Sequence, residues 1–323
     1  MKDASSEAFD FEDMCAWRSL LPGKAITDKP FAQHLAPLQL SDIRKKQLLT
    51  QVTSEGFFCL PQVLESETVS GLRNMIQTLN ANQIMPIFAA VYDEFWTTLY
   101  KIRDLLSPIL GPGYRLVPDF WIWHIPTGNK SAGWAPHRDG GFNPDNMRRD
   151  GTPTLCTAWI ALTDVSPDNA CMYALSKRGD PLYQDFLRRY SGRQGIANAG
   201  TLPIDLSYVR ALPASAGSVI GWEVSVMHWG GRSSAWAEEP RISIGVYYQA
   251  AQRSLVGRAF DNSGTKFIDY ENPGCRLSMT DRLTIIANNI ETYRYKLDTG
   301  EVHEEHYNPG VSSFARKWSR NRE

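Results

Sequence analysis

The sequence predicts an α+β protein whose core is mostly β, a jelly-roll-like double-stranded β-helix buttressed by N-terminal helices. Two observations predict this class. Apolar residues recur at helical spacing as far as about residue 107, and after Pro112-Gly113 the chain changes to short β-branched and aromatic runs. Because turn residues rather than helices separate these runs, they favour a barrel or double-sheet sandwich over βαβ units.

The N-terminal third is expected to be irregular at first and then helical. Residues 1–40 are interrupted by Pro22, Gly23, Pro30 and Pro37, which break any long helix. Ser41 is a suitable N-cap for an amphipathic helix ending at Gly56, and residues 57–60 then predict a short strand. Further helices are predicted over residues 65–80 and 88–107.

The remainder of the chain is expected to supply the β core. One more helix is predicted near residues 280–297, and the terminal segment 312–323 is expected to be loose. We therefore divide one predicted domain, 1–323, into an irregular segment (1–40), a helical buttress (41–112), a jelly-roll core (113–250) and a C-terminal helix or lid segment (251–323). The predicted core strands are Leu116–Ile125, Thr154–Thr163, Cys171–Leu175, Ser218–Trp222, Val226–His228 and Arg241–Gln249.

Composition excludes several classes of partner. A formal net charge of -1, with 42% hydrophobic and 21% charged residues, describes an ordinary soluble globular protein. Nucleic acids and anionic membranes favour clustered positive charge, so neither is an expected partner. The sequence shows no signal-peptide pattern and no stretch of about 18 apolar residues, so a cytoplasmic location is expected. The five cysteines form no CxxC pair, which favours neither a disulfide framework nor a structural zinc site.

A histidine and a carboxylate in the segment His137-Arg138-Asp139 are the first candidates for chemistry. In an extended segment residues i and i+2 point to the same side, so both side chains can converge on one metal ion. His228 is expected to end an apolar strand further along the chain. Two histidines and one carboxylate on a β scaffold form the facial triad that leaves positions open on non-haem Fe(II). The alternative is a buried structural histidine beside a capping aspartate.

A third element, Arg241-Ile242-Ser243, lies on the next predicted strand. A guanidinium with a neighbouring hydroxyl on the same face suits a carboxylate held bidentately in a pocket that contains little water. A 2-oxoacid with a distal carboxylate would fit such a pocket, because that carboxylate could pair with the guanidinium while the oxoacid end bound the metal. Arg232 is the competing candidate, and a surface ion pair is the alternative role for Arg241. We favour Arg241 because its strand, ISIGVYYQ, is apolar enough to run through the interior.

Together these segments resemble the phytanoyl-CoA dioxygenase-like branch of the Fe(II)/2-oxoglutarate-dependent oxygenases. The resemblance implies a cupin-like jelly roll, with Fe(II) as cofactor, 2-oxoglutarate as cosubstrate and O2. It matches His137, Asp139 and His228 to the iron ligands, and Arg241, assisted by Ser243, to the 2-oxoglutarate clamp. It extends from about residue 56 to 249, through GFFCLPQVL, FWIWHIPTG, WAPHRDGG, TAWIALTDVSPDNACM, ASAGSVIGW, MHWGGRSS and RISIGVYYQ.

The resemblance also suggests residues around the metal site. It implies that Trp159 and Phe120 line the 2-oxoglutarate pocket. His124 shares a face with Phe120 and is either a neighbour of the site or an ordinary core or surface histidine. Arg138 and Trp134 are candidate substrate contacts. The tryptophans near these motifs are core residues by default, with one or two available to form a substrate wall.

The substrate is less well defined by the resemblance. Where the family usually has Asn-Gly and then a Pro-Gly-Ser-His segment, this chain has Asn169-Ala170-Cys171 and the run 175–179, LSKRG. These departures leave the metal site intact and alter the substrate-facing loops. His303 and His306 are expected on a solvated surface, with a lid contribution or a second metal site as alternatives.

The predicted function is oxidation, by default hydroxylation, of a C–H bond of a small metabolite in natural-product or specialised metabolism. Desaturation, epimerisation and ring closure use the same oxidant and stay open. One alternative is a cupin-like metal isomerase or hydrolase that uses no 2-oxoglutarate. The other is a non-catalytic jelly roll that binds a ligand. A small-molecule substrate is the expected partner, and the sequence does not address the oligomeric state.

Overall fold

The computed structural model describes residues 9–30, 38–128, 133–252, 268, 275–298 and 310–320. Its helices are α1 (Met14–Leu20), α2 (Asp42–Ser54), α3 (Ser66–Ala81), α4 (Asp93–Ile102), α5 (Ser107–Leu110), α6 (Pro181–Tyr190), α7 (Met279–Asp298) and α8 (Gly310–Arg320). Its strands are β1 (Phe57–Leu60), β2 (Arg115–Ile125), β3 (Leu155–Ala161), β4 (Met172–Leu175), β5 (Val209–Leu212), β6 (Val219–Glu223), β7 (His228–Gly230) and β8 (Arg241–Gln249).

The predicted helix over residues 88–107 is wrong as a single element. A 3-10 turn occupies Pro86–Val91, α4 follows, and a second 3-10 turn, Arg103–Leu106, leads into α5. The first break has a clear cause, because Tyr92 is extended and the Asp93 amide donates to the carbonyl of Ala25, 2.8 Å away, instead of to the preceding turn. By contrast, α2 begins where expected, with the Ser41 hydroxyl accepting from the Arg44 amide.

Two antiparallel sheets form the β core. The larger has the order β1-β6-β3-β8-β2, and the smaller has the order β5-β4-β7. Strand β8 spans the predicted residues, and β2, β3, β4 and β6 lie within one or two residues of their predicted bounds at most ends. Strand β5 and helix α6 were not predicted. The strand expected to end at His228 instead begins there, because residues 224–227 form the turn that precedes it.

The larger sheet separates two apolar layers. Alternate residues of β8, namely Ile242, Ile244, Val246 and Tyr248, are buried in the layer shared with the helices. The opposite face of the same sheet, including Trp159 of β3, packs against residues of the smaller sheet. Since a strand presents successive side chains to opposite faces, the side chains at the other alternate positions of each strand point into the space between the sheets. That space contains the candidate site.

The two ends of the chain pack on the helical side. Residues 312–323 were expected to be loose, but α8 covers most of them and buries Val311, Phe314 and Ala315. Phe314 contacts the rings of Phe11 and Phe88, which explains why this basic segment is ordered. Helix α1 likewise orders part of the segment expected to be irregular. None of the helices in the described ranges is both long and apolar enough to cross a bilayer.

Candidate active site

Two segments distant in sequence meet at the candidate metal ligands. His137 and His228 form an isolated antiparallel bridge, each backbone amide donating to the other's carbonyl over 3.0 Å. Their Nε2 atoms lie 3.3 Å and 3.5 Å from Asp139 Oδ1, and the three potential ligand atoms are within 4.8 Å of one another. As expected for an extended segment outside the predicted strands, residues 137–139 belong to no regular strand, and the bridge at His137 pairs them. The side chains converge as predicted.

Hydrogen bonds fix which atom of each side chain faces the centre. The Nδ1 atoms of His137 and His228 contact the carbonyls of Ala135 and Val226 at 2.7 Å and 3.0 Å. A carbonyl can only accept, so Nδ1 carries the hydrogen in each neutral ring and Nε2 keeps its lone pair. Such partners set the orientation of metal-binding histidines.

The Asp139 carboxylate is held in the same way. Its Oδ2 accepts from Thr157 Oγ1 at 2.7 Å and from Trp222 Nε1 at 2.9 Å, which leaves Oδ1 towards the histidines. Burial alone would raise the pKa of Asp139, but its electrostatic interactions with His228 and His137 and the hydrogen bond from Trp222 outweigh the effect of burial. The pKa therefore lies well below its usual range, and the group is ionised. Two imidazole nitrogens and one carboxylate oxygen fit non-haem Fe(II).

A cavity of about 40 Å³ opens beside these three residues. Its walls are mainly aromatic, with five tryptophans and two tyrosines among the lining side chains. The sequence predicted that one or two of the tryptophans near the motifs would form a substrate wall, and five of them line the cavity. The aromatic lining consists of Trp121, Trp123, Trp134, Trp159, Trp222, Tyr247 and Tyr293.

Arg241 is the basic side chain among the described residues that line the cavity. It is only 1% exposed, and its guanidinium lies 5.3 Å from the centre of the Trp123 ring and 5.7 Å from that of Trp159. Its Nη1 donates to the carbonyl of Ala170 at 2.7 Å, and no carboxylate in the described ranges lies within ion-pairing distance. Burial lowers the pKa of Arg241 to about 9, so the group is still a cation at neutral pH. A buried cation of this kind is suited to an anionic ligand.

Two glycines make room for that guanidinium. A Cβ on Gly230 would lie 2.8 Å from Arg241 Nη1 and 2.7 Å from the Cα of Gly133. A Cβ on Gly133 would meet the Cα of Gly230 at 2.6 Å. The backbones before His137 and after His228 therefore cross at a distance that no larger residue permits.

Of the other residues predicted near the site, some line the cavity and others do not. Trp159 and Trp134 line the cavity. Ser243 shares a face of β8 with Arg241 but is not among the cavity-lining residues. Arg232, the competing arginine, is exposed and lies outside the lining. His303 and His306 lie outside the described residues.

The assignment of Phe120 to the cavity is wrong, and His124 does not line the cavity either, which favours the alternative of an ordinary histidine outside the site. Trp121 and Trp123 of β2 face it, so the alternate residues Phe120 and His124 point towards the other side of the sheet. Phe120 packs there against Phe95, with ring centres 4.9 Å apart. A bulge between residues 117 and 120 shifts the register of β2 against β8. Such a bulge makes side-chain direction hard to count from sequence.

The assignment of Arg138 as a substrate contact is also wrong. Its Nη1 donates to the carbonyl of Ser225 at 2.7 Å, and its Nη2 lies 2.6 Å from Asp180 Oδ2. The guanidinium also lies 4.5 Å from the centre of the Phe142 ring. These contacts hold the side chain away from the cavity.

Two cavity tyrosines were not predicted. Tyr293 of α7 donates to Asp119 Oδ1 over 2.6 Å, and Tyr247 of β8 lies close enough to Tyr293 and Asp139 to interact with both. A buried chain of polar groups thus links the candidate metal ligand to a second carboxylate. Tyr247 could have been found from its alternation with Arg241 along β8. No local signal indicates Tyr293, because its contact with residue 119 spans 174 positions.

Replacing Asp119 with asparagine should change how stability depends on pH. Burial raises the pKa of Asp119 to about 6, with the Tyr293 hydrogen bond opposing this rise and the charge of Asp139 adding to it. An unfolded aspartate titrates near about 3.9. Between about pH 4 and 6 the folded chain therefore holds a proton that the unfolded chain has released, and the free energy of unfolding falls as pH rises.

Urea denaturation of both proteins across this range measures the effect. The free energy of unfolding of the wild type minus that of Asp119→Asn should fall from pH 4 to 6 and then level off. A difference that rises with pH would contradict the prediction. Asp205→Asn is the control, because hydrogen bonds from Ser207 lower the pKa of Asp205, so its difference should be nearly flat above about pH 5 and should decrease only as the pH falls towards and below about 4.

Comparison with known proteins agrees with the site and fold. The family model for phytanoyl-CoA dioxygenase (PhyH) matches residues 88–237, which include the three candidate ligands and end before Arg241. No curated protein matches the sequence. The match to the family model covers fewer residues than the resemblance predicted over residues 56–249, but it confirms the predicted resemblance to this family.

Two solved structures share the fold. The epimerase SnoN from nogalamycin biosynthesis, solved with Fe3+, alpha ketoglutarate and nogalamycin RO, is 22% identical, with a TM-score of 0.51 and coverage of 74% of this chain and 97% of that chain. The non-heme monooxygenase ThoJ, solved with nickel, is 15% identical, with a TM-score of 0.50 and coverage of 79% and 100%. These similarities confirm the predicted jelly-roll class.

The site and fold thus define a non-haem iron oxygenase. Residues 88–237 match the phytanoyl-CoA dioxygenase family model, and the chain is an Fe(II)/2-oxoglutarate-dependent oxidoreductase.

Proposed function

We propose that this enzyme holds Fe(II) through His137, Asp139 and His228, binds 2-oxoglutarate with Arg241, and hydroxylates a C–H bond of a small organic metabolite. The observation that carries the proposal is the placement of both elements in one cavity. Two Nε2 atoms and a carboxylate oxygen converge there, and a buried arginine without a carboxylate partner among the described residues lines the same space.

The roles of the side chains follow from their contacts. When bound, Fe(II) supplies the activation of O2, which the oxidative decarboxylation of 2-oxoglutarate drives. Asp139 balances part of the metal charge and is held by Thr157 and Trp222. Arg241 offers a rigid fork that matches a carboxylate in two hydrogen bonds. Trp159 forms part of the wall beside it, and we propose that Ser243 supports this end of the pocket from the same face of β8.

The aromatic lining gives the enzyme a means to orient a substrate and exclude water. Tryptophan and tyrosine rings offer large apolar faces close to His137, including Trp134, whose ring centre is 5.8 Å from that of the imidazole. Positioning of this kind is the main contribution that the protein makes to a reaction whose difficult chemistry belongs to a cofactor. We assign Trp134 to substrate contact on this basis.

The biological setting is a further part of the proposal. SnoN belongs to nogalamycin biosynthesis, and its structure contains nogalamycin RO. We infer a substrate from natural-product or specialised metabolism for this chain too, with epimerisation, desaturation and ring closure as the competing outcomes. We also propose that residues 1–323 act as one oxygenase domain in the cytoplasm, which rests on the sequence expectation.

Anaerobic spectroscopy tests the assignment without knowledge of the substrate. Protein mixed with Fe(II) and 2-oxoglutarate should develop the weak visible charge-transfer band of a chelated 2-oxoacid. Absence of the band in the wild-type protein, or its full retention in an Asp139→Ala/His228→Ala double variant, would overturn the proposal. A cupin-like enzyme that does not use 2-oxoglutarate would bind the metal and give no such band. Succinate release with candidate substrates then identifies the substrate.

A further inference from the structure

The metal-binding turn is held by few backbone contacts. Residues 137–140 belong to no regular strand. Among the described residues, their backbone pairs at its two ends, through the bridge of His137 with His228 and through the Gly140 amide, which donates to the carbonyl of Val224 at 3.0 Å. Between these two points, the turn must present His137 and Asp139 to one ion. The side chain between them, that of Arg138, is therefore the available anchor.

Arg138 reaches two different elements at once. Its Nη1 donates to the carbonyl of Ser225, which lies in the turn that leads into His228. Its Nη2 forms an ion pair of 2.6 Å with Asp180 Oδ2, and the two side chains are only 10% and 2% exposed. A guanidinium can do this because its donors are fixed in one plane and point in separate directions. One side chain thus joins both ligand-bearing segments to a third element.

The two carboxylate oxygens of Asp180 contact different partners. Oδ1 accepts from the amides of Leu182 and Tyr183 at 3.1 Å and 3.2 Å and so caps the start of α6. Oδ2 is left for Arg138. The cap fixes the carboxylate relative to the helix, and the ion pair then fixes the metal-binding turn relative to the cap.

We propose that Arg138 and Asp180 are positioning residues, which set the geometry of the metal site by tying the 137–139 turn and the turn before His228 to the N-terminus of α6. The inference rests on the proposed function, since it takes His137, Asp139 and His228 as the metal ligands. It assigns a role in metal binding to α6, a helix that contributes no side chain to the cavity lining. Partners that orient metal ligands affect affinity by about 10–100-fold when they are removed.

Cobalt binding tests this inference with a readout other than turnover. Co(II) replaces Fe(II), and its d–d spectrum reports the arrangement of the ligands while titration gives Kd. Arg138→Met and Asp180→Asn should each weaken Co(II) binding by about 10–100-fold and change the d–d spectrum. Asparagine is as good an N-cap as aspartate, so Asp180→Asn removes the charge and keeps the cap of α6. Arg138→Lys should lie between the wild type and Arg138→Met, because it keeps the charge and loses the fork.

A matched control separates positioning from a general effect of losing an ion pair. Arg178 is in the same region and pairs with Glu55 at 3.1 Å, but its side chain is 65% exposed. Arg178→Met should leave the Co(II) Kd and spectrum unchanged. The double variant Arg138→Met/Asp180→Asn should bind Co(II) about as weakly as the weaker single variant, because both changes break the same link.

Each outcome decides the inference. Wild-type Kd and spectrum in folded Asp180→Asn and Arg138→Lys would overturn it, and these two conservative changes serve if Arg138→Met does not fold. Additive losses in the double variant would also overturn it. Failure of the wild-type protein to bind Co(II) would instead overturn the proposed metal site, which is a separate result.

Discussion

Replacement of Asp139 with alanine should abolish the Fe(II)/2-oxoglutarate band and lower succinate formation by more than about 100-fold, since even the partners of metal ligands are worth about 10–100-fold. Asp139 Oδ1 is 3.3 Å and 3.5 Å from the two Nε2 atoms, and it is the carboxylate in the candidate ligand set. Without it, two neutral imidazoles remain, and neither supplies charge to hold a divalent ion. The band and the succinate yield measure the two effects separately.

Asp205→Ala is the control for this variant. Asp205 is an exposed carboxylate that caps a short 3-10 turn by accepting from the Ser207 amide, and it belongs neither to the candidate ligands nor to the cavity lining. It should keep the band and the activity. A folded Asp139→Ala protein with wild-type turnover would contradict the assignment of this carboxylate to the metal.

Replacement of Arg241 with alanine should raise the KM for 2-oxoglutarate by about 30-fold or more. Loss of one partner of a buried, hydrogen-bonded charge pair costs about 2–5 kcal/mol, and about 2 kcal/mol corresponds to this factor. Arg241 is 1% exposed, so water cannot replace the contact. Arg241→Lys should recover only part of the affinity, because an ammonium group lacks the planar fork. Titration of the anaerobic band with 2-oxoglutarate gives the affinity directly.

Arg232 offers the matched comparison for this prediction. It was the competing candidate on sequence grounds, it is exposed, and it does not line the cavity. Arg232→Ala should leave the KM near the wild-type value, as expected when an exposed charge is removed. If Arg232→Ala instead raised the KM for 2-oxoglutarate and Arg241→Ala left it unchanged, the assignment of Arg241 to 2-oxoglutarate binding would be wrong.

Features carried by short-range patterns were predictable from the sequence. Strand β8 alternates large apolar residues with Arg241, Ser243 and Gly245. The predicted bounds of the strand and the predicted inward direction of Arg241 were therefore both correct. The convergence of His137 and Asp139 needed only two residues of the same extended segment. Val311, Phe314 and Ala315 have helical spacing as well, but their basic surroundings concealed helix α8, whose order depends on packing against distant rings.

Features that depend on irregular or distant contacts were not predictable. A bulge in β2 separates the strand start from Phe120, so the face of that residue could not be counted. Arg138 was read as a substrate contact because its neighbours are candidate ligands, whereas its partner Asp180 lies on a helix that was not predicted. Tyr293 reaches the cavity from α7, and only the folded chain brings it to Asp119.

The aromatic wall also gives the enzyme an optical reporter. Five of its ten tryptophans line the cavity, and Trp222 hydrogen-bonds a candidate metal ligand. An ion with unpaired electrons that enters the site therefore lies within a few side chains of half the indole rings, and should quench their emission. Trp236, 81% exposed and outside the lining, emits from a watery environment and supplies an internal reference at longer wavelength. Occupancy of the centre could thus be followed by fluorescence in the unlabelled protein.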